Sequence, residues 1–125
     1  MTDIVVGTRP TPGEPRPYVF PAFKRERLSN GLALITVSVP GRPLVSATLL
    51  HRNGAVDEPA AKAGSTVLAA RALTEGTEHY DAIALVEASE RLGASLHAET
   101  SWDGMSAGVE VPAERIEPAL ELVAE

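Results

Sequence analysis

Cysteine is absent from the 125-residue chain, which excludes disulfides, thiolate zinc sites and thiol catalysis while fixing no compartment. Aromatic residues make up only 4%, so a core must be built from Ala, Val and Leu, which favours closely approaching helices and sheets over large aromatic clusters. No apolar run approaches the ~18 residues that a membrane-crossing helix needs. Lysine and arginine are in the minority, 11 against 17 Asp and Glu, for a net charge of -6. Phosphate backbones and anionic membrane surfaces repel such a chain, so neither nucleic acid nor membrane is expected as a partner. The N-terminus lacks the features of a secretion signal: Asp3 stands where Lys or Arg is wanted, and Ile4-Val5-Val6 is too short. A cytoplasmic location is the default expectation.

What is present is 44% hydrophobic and 22% charged residues, close to globular composition and enough for one packed domain. Five of the ten prolines, Pro10, Pro12, Pro15, Pro17 and Pro21, precede Phe23. Each fixes φ and removes a donor, so residues 1–23 are expected as an extended arm outside any helix or central strand. Tyr18, Val19, Phe20 and Phe23 give this arm apolar anchors, and both a free tail and a docked one fit the pattern.

Residues 24–125 read as the folded part. Leu28 leads into Ser29-Asn30-Gly31, and Asn-Gly between apolar runs predicts a hairpin with Leu32 to Val39 as the returning strand. Leu44 to Arg52 is nearly apolar throughout and predicts a central strand, ended by Asn53-Gly54. Ala60 to Leu73 predicts a buried helix closed by Gly76. Asp81 can cap a second helix to Leu92, with Leu85, Val86, Ser89 and Leu92 on one face, Glu87 and Arg91 paired at i,i+4, and Gly93 as the stop. Ala94 to Ser101 and Met105 to Val111 alternate across Asp103-Gly104, as an antiparallel hairpin does. Ile116, Leu120 and Val123 mark a last helix, with Pro118 tolerable in its first turn. The order predicts an α+β layer, with helices on one face of a mainly antiparallel sheet. A helix still running at Glu125 suggests part of a larger unit, or a chain that needs a partner.

A family resemblance follows from ordered matches beginning at Leu28-Ser29-Asn30-Gly31-Leu32. They continue through Val45-Ser46-Ala47, Gly54-Ala55-Val56-Asp57-Glu58-Pro59, Ala63-Gly64, Glu75-Gly76-Thr77, Tyr80 and Leu92-Gly93-Ala94. From about Lys24 onward the chain resembles the insulinase/pitrilysin family of zinc peptidases, most of all the mitochondrial-processing-peptidase branch and its bacterial relatives. The resemblance implies the N-terminal part of a split ferredoxin-like metallopeptidase domain, which in the family closes as a clamshell around an unfolded peptide. Active members carry His-x-x-Glu-His on the helix before Glu75-Gly76-Thr77. Two imidazoles at i and i+4 then reach one zinc ion, and the Glu reaches its water.

Counted back from Gly76-Thr77, those places fall on Val67, Ala70 and Arg71. Val and Ala have no donor atoms and Arg is permanently protonated, so no catalytic and no metal-binding residue is expected in this chain. The third ligand would lie beyond Glu125. Val67 and Ala70 then read as core positions and Arg71 as the i,i+4 partner of Glu75. A sharper alternative has Arg71 bind a peptide carboxylate. The resemblance implies a noncatalytic domain or subunit that pairs with a zinc-bearing family member to form a peptide chamber, the zinc belonging to that partner. One rival is a scaffold that kept the fold without a proteolytic role. Another is an active peptidase with rearranged ligands, drawn from His51, His79 and His97 with Asp57, Glu99 or Asp103, although no two of these histidines share ligand spacing.

Other chemistries find little purchase. Ser65 lacks the Gly-x-Ser-x-Gly elbow of a serine hydrolase. No phosphate-binding glycine loop follows a strand, and Gly31, Gly54, Gly76 and Gly104 are explained as turn or cap residues. Trp102, at the hairpin tip, is either an interface anchor or partly buried against the adjacent helix.

Overall fold

The computed structural model describes residues 7, 9 and 11–125. The expectations placed on Asp3, Ile4-Val5-Val6 and Pro10 concern residues outside that set. The chain forms two compact units, Met1–Gly41 and Arg42–Glu125.

In the first unit, residues 11–22 carry no helix or strand and are exposed. The rings of Tyr18 and Phe20 meet edge to face, with centroids 6.1 Å apart. The strands β1 (Phe23–Arg27) and β2 (Ala33–Val37) pair antiparallel, with Arg25 opposite Ile35. Their turn forms where Asn30-Gly31 predicts it. Gly31 takes φ 89°, its N–H donates to the Leu28 carbonyl at 2.9 Å, and the Leu32 N–H donates to Asn30 Oδ1 at 3.0 Å.

The second unit is built on three antiparallel strands, β3 (Leu44–His51), β4 (Ser95–Thr100) and β5 (Met105–Pro112), in the order β3-β5-β4. This corrects the expectation that the apolar run at Leu44 is central. The central strand is β5, and Leu44, Leu49 and Leu50 on β3 are exposed. Apolarity cannot separate an inner from an outer strand, because pairing is decided by the register with a segment some 60 residues away. That register sets Val45 opposite Val111 and Ala47 opposite Val109, while Leu96 faces Val109 from the other side. These residues share one face of the pleat.

Helices α1 (Ser65–Ala72), α2 (Ala82–Leu92) and α3 (Ile116–Ala124) complete the layer. Helix α1 packs on β4 and β5, α3 on β5, and α2 on α3 and β4. Val109, Val111 and Ala119 form the buried centre, with Leu96, Ile116 and Val123 packed around it. The α+β architecture expected from the sequence is therefore the observed one. Pro118 lies in the first turn of α3, but the buried face of that helix is Ala119 and Leu122, and Leu120 is exposed. In α2, Leu85 and Ser89 are buried and Val86 is not.

The predicted helix over Ala60–Leu73 is split. Ala60–Lys62 is a single 3-10 turn and Gly64, at φ 92°, separates it from α1. A left-handed residue cannot continue a right-handed helix. The N–H groups of Gly64 and Thr66 go instead to a side chain, described next.

Candidate functional site

The family resemblance directs attention to α1, an eight-residue helix too short to persist without tertiary support. Its support comes from Glu58, whose carboxylate accepts the Gly64 N–H at 2.6 Å, the Thr66 N–H at 2.7 Å and the Thr66 hydroxyl at 2.6 Å. The two amides are donors that the first turn of a helix leaves unpaired. The Thr66 hydroxyl, then the Thr66 and Gly64 amides, hold the Glu58 carboxyl below its usual range against a smaller opposing effect of burial. Glu58 thus acts as a remote N-cap, bridging the turn after β3 to the helix. Sequence reading missed this role because caps are sought next to the helix, and Glu58 lies six residues before Gly64.

The same turn is fixed to the β4–β5 hairpin. The Ala55 N–H donates to the Ser101 carbonyl at 3.1 Å and the Val56 N–H to the Trp102 carbonyl at 3.0 Å. Asp57 Oδ2 accepts the Gly54 N–H at 3.1 Å. A Cβ on Gly54 would collide with the backbone of Trp102, Asp103 and Gly104, and one on Gly104 would lie 2.7 Å from the His51 carbonyl oxygen. Gly54 has φ -125°, so its glycine is required by close approach of two backbones, whereas a turn alone was expected.

Of the three positions matched to the zinc motif, Ala70 is buried at 4% exposure, while Val67 is 42% exposed and Arg71 lies on the surface. Val67 is therefore not the core residue expected. Ala70 is the buried residue of α1, the helix that packs on β4 and β5. Nor does Arg71 pair with Glu75. Among the described residues the ion pairs are Arg91–Glu87 and His79–Glu125, each 2.8 Å. The donor chemistry at these three positions does not fit a zinc ion, since two offer only carbon and the third a permanent cation.

The three histidines lie apart in the fold. His51 ends β3, exposed. His79 lies between α1 and α2, with Nδ1 on Glu125 Oε2 at 2.8 Å. This contact, more than the Thr77 hydroxyl at 3.2 Å, holds the Glu125 carboxyl below its usual range. His97 lies on β4 beside Gly108, where an added Cβ would meet its Nε2 at 2.8 Å. No three His, Asp or Glu side chains converge on a metal-sized space among the described residues. Ser65 opens α1. Trp102 is 67% exposed at the hairpin tip, which corrects the expectation of partial burial against a helix. A cavity of about 90 Å³ lies between the helices and the sheet, lined mainly by apolar residues such as Leu73, Leu85, Leu96 and Leu122, with Thr77, His97 and Glu125 as polar members.

The family model described as insulinase, peptidase family M16, matches residues 34–125. Among solved structures, the chain is similar to a protease from Helicobacter pylori, at 23% identity and TM-score 0.76, over 85% of this chain and 25% of that one. It is also similar to a peptidase M16 inactive domain from Pseudomonas fluorescens, at 23% identity and TM-score 0.75, over 83% of this chain and 26% of that one. No curated protein matches the chain. The chain spans about a quarter of the length of these solved structures, and at such identity the likeness is one of fold.

Proposed function

Because the chain belongs to the insulinase family of peptidases, family M16, we propose that it supplies a noncatalytic wall of a peptide chamber whose zinc resides in a partner. The partner is a family member with an intact His-x-x-Glu-His helix, and the substrate is an unfolded peptide. The observation that carries this reading is the residue set on α1: Val67, Ala70 and Arg71 stand where the resemblance places two imidazoles and a general base. A peptidase of this class needs a polarised water on the metal, and these side chains can neither hold the metal nor take the proton. The likeness of the fold to a structure named as an inactive M16 domain adds support. On this reading Val67 and Arg71, both exposed on α1, face the chamber, where Arg71 pairs with a peptide carboxylate.

The test is peptide hydrolysis by the full chain alone, by a zinc-bearing family subunit alone, and by the two together, with metal analysis of each. Cleavage by the mixture, with neither hydrolysis nor stoichiometric zinc in this chain alone, is the expected result. Turnover by the isolated chain, lost on Val67→Asp or Arg71→Ala, overturns the proposal.

A further inference from the structure

Both asparagines of the chain, Asn30 and Asn53, are followed by glycine. At such a step a protein can modify itself, because a glycine nitrogen, unshielded by a neighbouring side chain, can attack the side-chain amide carbon of the asparagine before it. The dipeptides are identical, and the fold makes them different.

At Asn53 the nucleophile is withheld. Gly54 is buried, and its N–H donates to Asp57 Oδ2 at 3.1 Å. The next two amides, of Ala55 and Val56, donate to the Ser101 and Trp102 carbonyls. Turning the Gly54 nitrogen onto the Asn53 side chain therefore means releasing a loop that is fixed to a second hairpin and has no space to spare against its backbone.

At Asn30 the electrophile is prepared instead. Its Oδ1 accepts the Leu32 N–H at 3.0 Å, a donor that stabilises the negative charge gathering on that oxygen when the amide carbon is attacked. The Gly31 N–H is held by the Leu28 carbonyl at 2.9 Å, within a hairpin whose strand residues are all exposed. A two-stranded hairpin without a buried face is marginally stable, so its turn opens far more often than the loop at Gly54.

We propose that Asn30 is a self-modification site, deamidating through a succinimide while the locked loop protects Asn53. The Gly31 nitrogen bonds to Asn30 Cγ, and its proton passes through solvent to Nδ2. The Cγ–Nδ2 bond breaks and ammonia leaves. Water then opens the ring at either carbonyl, giving aspartate or isoaspartate at position 30. Either product adds negative charge to the turn. Isoaspartate also lengthens the backbone by a carbon atom, in the turn that sets the register of Arg25 opposite Ile35. The site is independent of the chamber reading.

The test incubates the full chain at neutral pH and body temperature, in buffer and in concentrated urea, and follows each asparagine by peptide mapping with mass spectrometry. In buffer Asn30 is expected to deamidate at least about tenfold faster than Asn53, equivalent to about 1.4 kcal/mol in the free energy of opening. In urea the two rates should converge, since both steps are then plain Asn-Gly. Asn30→Gln, which would have to close a larger ring, should remove most of the ammonia released in buffer. Equal rates in buffer, or faster reaction at Asn53, overturn the proposal. So does protection of Asn30 as complete as that of Asn53, and a tenfold difference that persists in urea overturns its structural cause.

Discussion

Helices α1 and α2 follow one another in the chain and are positioned by different means. Asp81 opens α2 by accepting the Ala84 N–H at 2.8 Å, Gly93 closes it at φ 62°, and Glu87 meets Arg91 one turn along. All of these partners lie within four residues of each other. Helix α1 opens at a glycine without a side-chain cap. Its first turn is satisfied by Glu58, and the turn containing Glu58 is held in place by the tip of a hairpin more than 40 residues further on. A locally bounded helix such as α2 tolerates the loss of any one partner. A helix bounded at a distance transmits whatever disturbs its supports, and α1 is the element on which the family's chemistry would be carried.

Substitutions can break this contrast. The largest expected effect is for Gly54→Ala, where the added methyl meets the Trp102–Gly104 backbone. A loss of about 3 kcal/mol is expected from overpacking against backbone, read by urea denaturation. Amide exchange should rise in α1 and at the Trp102 hairpin tip before it rises in α2. Exchange that rises equally in both helices would remove the distinction.

Replacing Glu58 by Gln tests the remote cap through pH. The Glu58 carboxyl titrates below its ordinary 4.5 in the folded protein. Its contribution is therefore fully present above that value and is lost as pH falls through the folded pKa. The parent protein should be the more stable at pH 7, and the two proteins should converge as pH falls below 4.5 and through the lowered folded pKa. A stability gap independent of pH would show that shape, and not charge, makes the cap.

A smaller effect is expected for Asp81→Ala, about 1 kcal/mol from the loss of an N-cap. Its exchange signature should be confined to the first turn of α2. Smallest is Arg91→Ala. Both partners of its i,i+4 pair are largely exposed, so a change of about 0.3 kcal/mol or less is expected. Thermal melts at low and high salt suffice to check it.

The elements that could be read in advance were those whose reasons are local. Asn30-Gly31 marked the first hairpin, Asp81 and Gly93 bounded α2, and the alternation around Asp103-Gly104 gave β4 and β5. The misreadings share one cause. The Ala-rich run from Ala60 has good helix propensity throughout, yet Gly64 and the distant Glu58 divide it. Leu44 to His51 looks like an inner strand because its composition is apolar, but composition carries no information about which strand lies beyond it. At the candidate site, the residue types at positions 67, 70 and 71 could be read directly, while Ala70 as the packed member and Val67 as an exposed one could not.

The order of residues alone settled the α+β class, the boundaries of α2, and the absence of metal-donor atoms at three positions of α1, since each depends on residue type or on partners a few places away. Only the folded chain decided that β5 is central, that α1 begins only after Gly64, and that the loops at Gly54 and Gly104 lock together next to an exposed tryptophan. Those outcomes depend on which distant backbones come within hydrogen-bonding distance. Sheet register and side-chain volume set that distance, and neither can be inferred from a short window of sequence.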